Sequence, residues 1–359
     1  MKIRFLNLSS DLSDIKKYNN AINKIFKSGQ IVLGKEVNEF EKNLRIYTKR
    51  KYCIGVGSGT DALYLAIQSL QLKPGDEVIT TCLSWISTTN AIYLNGLTPV
   101  FADIDNDLNI STQSVRKLIS NKTKLILAVN FTGKLAQLEE LEEIAKENSI
   151  YLIEDAAQSF GAIKNKRKSG SFGHISTFSH NPMKVLSALG EAGSVLTDDA
   201  TIKNRLTLLR YSGMKNKELL WTPGLNARLD TVQAALLNLK LKSISKVIKK
   251  RRLNADYLIA NLKNQQSTLP DFGEDSVFYT FTIKINNRNK FQSYLESKGI
   301  ETKIQHKKLI PQQPFYKKYK ADLLNAKSIV KKILCIPVHE KLSKNELDYI
   351  IETINSFYR

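Results

Sequence analysis

The chain has 359 residues, of which 42% are hydrophobic and 25% are charged, so it can bury a sizeable core and is not an intrinsically disordered protein. Its 54 lysine and arginine residues outnumber 34 aspartate and glutamate residues, which gives a net charge of +20. No apolar stretch approaches the ~20 residues that a membrane-spanning helix needs, and three scattered cysteines exclude a disulfide scaffold and a cysteine zinc site. We therefore expect a protein of the reducing cytoplasm, with no membrane partner and no metal.

The positive charge by itself identifies no partner. Basic residues cluster at 164–168, 246–252 and 317–320, but no cluster is interleaved with aromatic residues as in a groove that stacks nucleic-acid bases. No zinc finger or helix-turn-helix pattern accompanies them. A solvated basic surface is the simplest interpretation, an anionic substrate is the alternative, and no nucleic-acid partner is expected.

Residues 1–50 are predicted to be mainly helical, with an exposed loop around Gly29–Gly34. From Tyr52 onward, short apolar strands alternate with segments in which apolar residues recur at helical spacing. The predicted strands are 52–56, 78–81, 99–102, 125–129, 151–153, 175–178 and 194–196, and the helices between them are 62–70, 88–94, 112–119 and 138–147. This alternation predicts an α/β fold with a parallel, doubly wound sheet.

The composition changes after a long helical stretch over 229–241 and 244–262. A strand at 278–285, a helix at 291–298, a short strand at 334–337 and a final helix follow, and Ser343 with Glu346 forms a capping box at the start of that helix. We therefore predict a large domain over residues 1–245 and a smaller C-terminal α+β domain over residues 246–359.

Three segments could carry chemistry. Gly57-Ser58-Gly59-Thr60 lies between a strand and a helix, where free N–H groups favour phosphate, although helix capping by Ser58 is an alternative. Glu154-Asp155-Ala156-Ala157-Gln158 follows a strand, at the edge where open α/β sheets bind ligands, and a capping carboxylate is its alternative. Lys184 follows a strand and a polar turn, in semi-apolar surroundings that suit Schiff-base chemistry, whereas an ordinary surface lysine is its alternative.

The order and spacing of these segments are far more specific than any one of them. In them the chain resembles the DegT-type sugar-nucleotide aminotransferases, which use pyridoxal 5'-phosphate on the fold-type-I scaffold of the aspartate aminotransferase superfamily. The resemblance covers nearly the whole chain and is carried by Ser28-Gly-Gln-Ile-Val-Leu-Gly34, Gly57-Ser-Gly-Thr-Asp-Ala-Leu63, Pro74-Gly-Asp-Glu-Val78, Glu154-Asp-Ala-Ala-Gln-Ser-Phe-Gly-Ala162, Pro182-Met-Lys184 and Gly224-Leu-Asn-Ala-Arg-Leu-Asp230. It implies that the large domain binds the cofactor on a mostly parallel seven-stranded sheet flanked by helices.

The resemblance also implies roles for single residues. Lys184 matches the lysine that binds the cofactor covalently, and Asp155 matches the carboxylate that pairs with the pyridine nitrogen. The other implied contacts are Gly59, Thr60 and Ser179 at the phosphate, Trp85 on the ring, Gln158 near the phenolic oxygen, and Asn226 reaching the phosphate from the other subunit. A residue contributed by the other subunit implies a homodimer with shared active sites.

The implied reaction moves an amino group from a donor, which the family implies to be glutamate, to a nucleotide-linked keto-sugar. The amino sugar would serve surface polysaccharide or glycoside biosynthesis, and the motif wording favours a ketone at sugar carbon 3. Two segments depart from the family pattern: Asn130 and Thr132 stand where His and Tyr are common, and 303–312 lacks the usual His-Tyr-Pro. We expect His306 to contact the substrate, with a structural or surface role as the alternative, and Lys307 and Lys308 to face the nucleotide diphosphate.

Two other functions stay open on the same fold. A sugar dehydratase relative would replace the cofactor-binding lysine, commonly with His, so Lys184 argues against it. A non-catalytic, basic regulatory protein would have no need of Lys184, Asp155, Gln158 and Thr60 together. The intact set therefore favours an aminotransferase over both alternatives.

Overall fold

The computed structural model describes residues 1–9, 12–216, 218–263, 267–268, 273 and 275–357. Its helices are α1 (Leu12–Ser28), α2 (Lys35–Thr48), α3 (Gly59–Ser69), α4 (Ser87–Leu94), α5 (Thr112–Leu118), α6 (Leu138–Glu147), α7 (Ala200–Leu209), α8 (Thr231–Leu241), α9 (Ile244–Asn261), α10 (Arg288–Ser297), α11 (Leu324–Ile329) and α12 (Lys344–Ser356). Short 3₁₀ turns occur at Phe131–Gly133, Ile310–Gln312 and Pro314–Tyr316. In the part of the chain that is described, no helix is both long and apolar enough to span a membrane.

The strands are β1 (Tyr52–Val56), β2 (Glu77–Thr81), β3 (Thr98–Ala102), β4 (Thr123–Val129), β5 (Tyr151–Asp155), β6 (Ile163–Lys164), β7 (Arg167–Lys168), β8 (Ile175–Ser179), β9 (Gly193–Thr197), β10 (Met214–Lys215), β11 (Leu219–Leu220), β12 (Ser267–Thr268), β13 (Phe281–Ile285) and β14 (Ile333–Ile336). Seven of them form the main sheet in the order β1-β9-β8-β5-β4-β2-β3. Its neighbours pair in parallel except for β9, which is antiparallel to both β1 and β8. The predicted α/β fold with a mostly parallel seven-stranded sheet is confirmed.

Side chains from alternate positions of the strands build a core on each face of this sheet. On β4, Ile126 belongs to the core that includes residues of α2, α6 and α8, whereas its neighbours Leu125 and Leu127 belong to the core that includes residues of α3, α4 and α7. The cause is the two-residue period of a strand, which sends successive side chains to opposite faces. Helices therefore cover both faces, and ligand access is left to the edge where the parallel strands end.

A second, smaller core lies in the C-terminal part of the chain. In the antiparallel sheet β12-β13-β14, the side chains of β13 and β14 share a core with those of α10 and α12, and Ile3 from the N-terminus belongs to the same cluster. Helix α9 connects the two cores, because Ile244 at its start belongs to the core of the main sheet and Leu258 near its end to the smaller one. The domain boundary at residue 245 stays a prediction.

Helix α7 is the longest element that the predicted order of elements lacks. Asp199 caps it by accepting hydrogen bonds from the backbone N–H groups of Thr201 and Ile202. Ile202, Leu206 and Leu209 are buried at helical spacing. Both signals are legible in the sequence, so this helix could have been predicted. The capping box of Ser343 and Glu346 at the start of α12 is confirmed.

Candidate active site

A pocket of about 520 Å³ opens at the edge of the main sheet where β5 and β8 end. It collects side chains from the starts of α3 and α4, from the loop between β8 and β9, and from residues 303–306. Eight of the predicted site residues line it: Gly59, Thr60, Trp85, Asp155, Gln158, Ser179, Lys184 and His306. Residues that are 247 positions apart in the chain therefore share one cavity, as predicted for a binding site at this edge.

One end of the pocket is a cradle of hydroxyl and backbone groups. The Thr60 hydroxyl lies 2.9 Å from that of Ser87, which brings the N-termini of α3 and α4 together. Ser58 caps α3 by accepting a hydrogen bond from the N–H of Asp61. Ser179 adds a third hydroxyl beside Gly59, where an added Cβ would lie 2.5 Å from the Ser179 Cβ. Converging helix N-termini and hydroxyls favour a phosphate group here.

Asp155 is the buried acid of the pocket, with 3% of its surface exposed. Its carboxylate accepts hydrogen bonds from the Thr88 hydroxyl at 3.2 Å and from the Ala157 N–H at 3.1 Å. Burial raises the pKa of Asp155, whereas the Ala157 N–H, the Lys184 ammonium and the Thr88 hydroxyl lower it. A protonated ring nitrogen against this carboxylate would compensate for the burial and hold the acid ionised.

Lys184 lies on a closed loop between two paired strands. Ser179 and Gly193 are opposite each other in the β8–β9 ladder, and the N–H of His180 donates to Ala192 O at 2.7 Å. Within the loop the Lys184 N–H donates to Asn181 O at 2.8 Å. The Lys184 ammonium lies 4.6 Å from the centroid of the Tyr279 ring, a cation–π contact that the sequence did not reveal.

His180 supports the loop that carries Lys184 but does not line the pocket. Its ring is fully buried among phenylalanine rings and contacts Leu186 O at 3.2 Å and the Ser194 hydroxyl at 3.0 Å. Burial lowers the pKa of His180 to about 4, so the ring is neutral at pH 7. We assign it a structural part in the fold of the lysine loop.

Gln158 presents its amide to the pocket in a defined orientation. Its Oε1 accepts hydrogen bonds from the Thr132 N–H at 3.0 Å and from the Gln305 amide at 3.3 Å. The carbonyl end of the amide is therefore occupied, and the amide nitrogen is the end left for a ligand. Neither Thr132 nor Gln305 was predicted as a functional residue, because no local motif marks a contact across so many positions.

His306 stands at the junction of this pocket with a second, wider one. The second cavity, about 700 Å³, shares Ser84, Trp85 and His306 with the first. The buried Nε2 of His306 has no hydrogen-bond partner among the described residues, and burial, with Lys303 and Lys184 nearby, lowers its pKa to about 4. A neutral ring with an unpaired nitrogen is available to a substrate group at this junction.

Aromatic rings, together with Lys308, line much of the second cavity. Phe315 is 55% exposed and meets Tyr93 edge to face with 4.8 Å between ring centroids. Lys307 and Lys308 were both predicted to face the nucleotide diphosphate. Lys308 lines this cavity, whereas Lys307 is exposed and lines neither cavity. The Lys318 ammonium lies about 5 Å from the rings of Tyr93 and Phe315. Stacking surfaces and positive charge thus lie side by side.

Asn226 lies outside the pocket of its own chain. It is exposed, and its Oδ1 accepts a hydrogen bond from Arg228 at 2.8 Å. Large apolar side chains nearby in sequence are exposed as well: Leu219, Leu220, Trp221 and Leu225. Such a concentration of exposed apolar surface is typical of a protein–protein interface. The position is compatible with the predicted contribution to another subunit's site, which stays a prediction.

Other described features bear on the remaining predictions. Among the described residues, no group of three or more His, Cys, Asp or Glu side chains is arranged to hold a metal ion. The cysteines Cys53, Cys82 and Cys335 are free and buried. Lys303, Tyr279, Ser87 and Thr88 line the pocket without having been predicted, because single lysines, tyrosines and hydroxyls carry no distinctive sequence signal.

Comparison with known proteins identifies the family. The model of the DegT/DnrJ/EryC1/StrS aminotransferase family matches residues 13–355. The chain is 34% identical to the dTDP-3-amino-3,6-dideoxy-alpha-D-galactopyranose transaminase of Aneurinibacillus thermoaerophilus, with 95% of each chain covered. It is 32% identical to a pleiotropic regulatory protein of Geobacillus stearothermophilus, with 100% of this chain and 99% of that one covered. The crystal structure of S. venezuelae DesV in complex with a ketimine intermediate superposes with a TM-score of 0.95 at 29% identity, over 99% of this chain and 98% of that one. The chain belongs to the DegT/DnrJ/EryC1/StrS aminotransferase family.

Proposed function

We propose that the protein uses pyridoxal 5'-phosphate to transfer an amino group, with glutamate as donor, to a nucleotide-linked keto-sugar. The observation that carries the proposal is the meeting of Lys184, buried Asp155 and the hydroxyl cradle in one pocket. The cradle fits the phosphate, the acid fits the ring nitrogen, and the amine fits the aldehyde of this cofactor. These are three chemically different matches to one molecule.

The residues of the chain then divide the work. When bound, the cofactor supplies an aldehyde that takes up amines covalently and a ring that accepts electrons. Asp155 would hold a proton on the ring nitrogen, and the indole of Trp85, which is 64% exposed, would lie against the ring. Lys184 would hold the cofactor and, as a free amine, would move the proton at the α-carbon of the donor. The Gln158 amide nitrogen would donate a hydrogen bond to the phenolic oxygen.

The acceptor is proposed from the second cavity. The first pocket would hold the cofactor and the sugar, so the remainder of a nucleotide-linked sugar would extend past Trp85 and His306, which line both cavities. There the rings of Tyr93 and Phe315 offer stacking surfaces to a base, and Lys308 offers charge to a diphosphate. The transaminase of Aneurinibacillus thermoaerophilus is named for a 3-amino sugar, which supports a ketone at sugar carbon 3. The amino sugar product would enter surface polysaccharide or glycoside biosynthesis.

Two further properties belong to the same proposal. The protein acts as a homodimer, in which Asn226 of each subunit completes the phosphate cradle of the other. Exposed apolar residues around Asn226 support this arrangement, because they would be covered by the partner. We also assign the protein to the cytoplasm, where its buried free cysteines stay reduced.

The visible absorption of the protein tests the proposal directly. Purified protein loaded with pyridoxal phosphate should be yellow, and glutamate should bleach the colour because the cofactor becomes aminated. Lys184→Ala should lower the rate of bleaching by at least about 10³-fold, whereas Lys249→Ala, an exposed lysine on α9, should leave it unchanged. A Lys184→Ala protein that transaminates at the normal rate would contradict the proposal.

One observation favours a second candidate function. A relative that the chain matches over its full length is named a pleiotropic regulatory protein, and this chain carries a net charge of +20. A regulatory role without turnover would leave the protein colourless in the presence of pyridoxal phosphate. It would instead retard a generic DNA duplex, and the retardation would weaken as salt increases.

Restoration of the yellow colour by nucleotide keto-sugars with ketones at carbon 3 or carbon 4 identifies the acceptor.

A further inference from the structure

The orientation of the Gln158 amide is set from two separate parts of the chain. Gln158 is 5% exposed, and its Oε1 accepts from the backbone of Thr132, after β4, and from the side chain of Gln305, before β14. A backbone N–H can only donate, so the atom that faces Thr132 is the amide oxygen. The Gln158 nitrogen therefore points away from both contacts, and it has no partner among the described residues.

The Thr132 side of this arrangement is strained. Thr132 has φ 61° and ψ −2°, a left-handed conformation that a β-branched residue rarely adopts. Its own hydroxyl donates to Phe131 O at 2.7 Å, and its carbonyl accepts from the Thr280 N–H at 3.2 Å. At Gly133, with φ 101°, an added Cβ would lie 2.6 Å from the Tyr279 backbone nitrogen. Backbone strain of this kind persists only where surrounding contacts impose it, and it is concentrated at functional sites.

The loop that contains Thr132 is anchored on both sides. The Asn130 side-chain nitrogen donates to the buried carboxylate of Glu154 at 2.8 Å, and the Asn130 Oδ1 accepts from the Ala136 N–H at 2.9 Å. From the C-terminal part of the chain, the Val277 N–H donates to Gly133 O at 2.9 Å. The strained turn is thus held between the main sheet and the segment that precedes β13.

The Gln305 side is fixed by the C-terminal sheet. Gln305 Oε1 lies within hydrogen-bonding distance of the Thr280 hydroxyl, at 3.4 Å, and of the Cys335 thiol, at 3.8 Å. Both groups donate to a carbonyl oxygen, so the nitrogen of Gln305 is turned toward Gln158. Cys335 also pairs with Lys303 through two backbone hydrogen bonds of 2.9 and 3.0 Å, which holds the segment before Gln305.

We propose that Gln305 and the Thr132 backbone are positioning groups, which hold the Gln158 amide so that its nitrogen donates to the phenolic oxygen of the cofactor. The proposal rests on the proposed use of pyridoxal phosphate. A hydrogen bond to an ionised oxygen favours the ionised form, so this donor lowers the pH at which the bound cofactor takes up a proton. Through Gln305, the C-terminal sheet sets the protonation state of a group bound by the main sheet.

The test is a pH titration of the visible absorption of the protein loaded with pyridoxal phosphate. Gln305→Leu removes one of the two donors, and the midpoint of the colour change should rise by about 1 pH unit, a tenfold change in proton affinity. Gln305→Glu should raise it further, because a carboxylate accepts the Gln158 N–H groups and turns the amide out of the pocket. Gln113→Leu, an exposed glutamine at the start of α5, should not move the midpoint.

Other measurements separate positioning from a general loss of structure. Thermal unfolding of the cofactor-free variants reports damage to the fold, which would lower the unfolding temperature without moving the colour midpoint. Thr132→Gly keeps the N–H donor and relieves the left-handed strain, so its midpoint should match that of the unchanged protein even if Gln305 variants fold poorly. Unchanged midpoints in Gln305→Leu and Gln305→Glu would overturn the positioning role and leave the proposed function intact. A protein that binds no pyridoxal phosphate would overturn both.

Discussion

The two cavities that meet at His306 are built in opposite ways. Around Asp155, buried side chains and backbone groups satisfy one another, and the acid has two hydrogen-bond donors of its own. In the second cavity Phe315 and Tyr93 are exposed, their rings meet edge to face, and the ammonium of Lys318 lies beside them. A site that must hold one cofactor in one position benefits from rigid, fully bonded surroundings, whereas exchangeable substrates can be bound by exposed rings and charges.

The largest effect is expected from a substitution that removes buried hydrogen bonds next to Asp155. Glu154 is fully buried and accepts hydrogen bonds from Asn130, Ser169, Gly170, Phe172 and Ser176. Glu154→Ala leaves these donors without their shared carboxylate and removes a negative charge close to the buried Arg50, so the free energy of unfolding should fall by about 3–5 kcal/mol. Denaturant unfolding measures it, and Glu143→Ala, exposed on α6, should stay within about 0.5 kcal/mol of the unchanged protein. An equal loss in both variants would contradict the proposed rigidity of the Asp155 side.

A smaller effect sharpens the contrast at the exposed side. Phe315→Ala removes a stacking surface from the second cavity, so KM for the nucleotide-linked keto-sugar should rise about tenfold, which corresponds to about 1.4 kcal/mol. The rate at which glutamate bleaches the cofactor should stay unchanged, because glutamate does not reach this cavity. Phe26→Ala, an exposed phenylalanine on α1, serves as the control. A slower reaction with glutamate would mean that the two cavities are not separate in function.

The smallest expected signal concerns the partner subunit. If Asn226 completes the cradle of the other subunit, mixtures of Lys184→Ala and Asn226→Ala chains contain dimers with one intact site. Random pairing makes half of the dimers mixed, so activity should recover to about a quarter of that of the unchanged protein. Recovery no greater than the sum of the two parent proteins would exclude a shared site.

The sequence predicts the rigid side well and the exposed side poorly. Gly59, Asp155 and Lys184 follow strands of an alternating pattern, and the parallel sheet brings such positions to one edge for topological reasons. Gln158, which is close in sequence to Asp155, was found in the same way. Tyr93 and Phe315 were not predicted, because the sequence alone does not distinguish an exposed aromatic side chain from one in a core. Their exposure depends on how distant segments pack.

The contacts between segments distant in sequence were also beyond prediction from the sequence. Thr132 adopts a left-handed conformation although it is not a glycine, so the sequence gives no sign of the turn. Its N–H donates a hydrogen bond to Gln158, which lies 26 positions later in the chain. Gln305 reaches the same atom over 147 positions. In the sequence, Asn130 and Thr132 are only departures from a family pattern. The structure shows that Thr132 adopts a left-handed conformation and that Asn130 donates a hydrogen bond to the buried Glu154.

The loop that carries Lys184 is closed at its base by Ser179 and Gly193, the last pair of the antiparallel ladder between β8 and β9. Because this loop is fixed at both ends, the reach of the Lys184 amine is limited to the length of its own side chain. If Lys184 holds the cofactor covalently, as proposed, an amine that replaces it would leave the lysine close to the reacting carbon. The antiparallel strand β9, in an otherwise parallel sheet, would then keep the effective concentration of this base high.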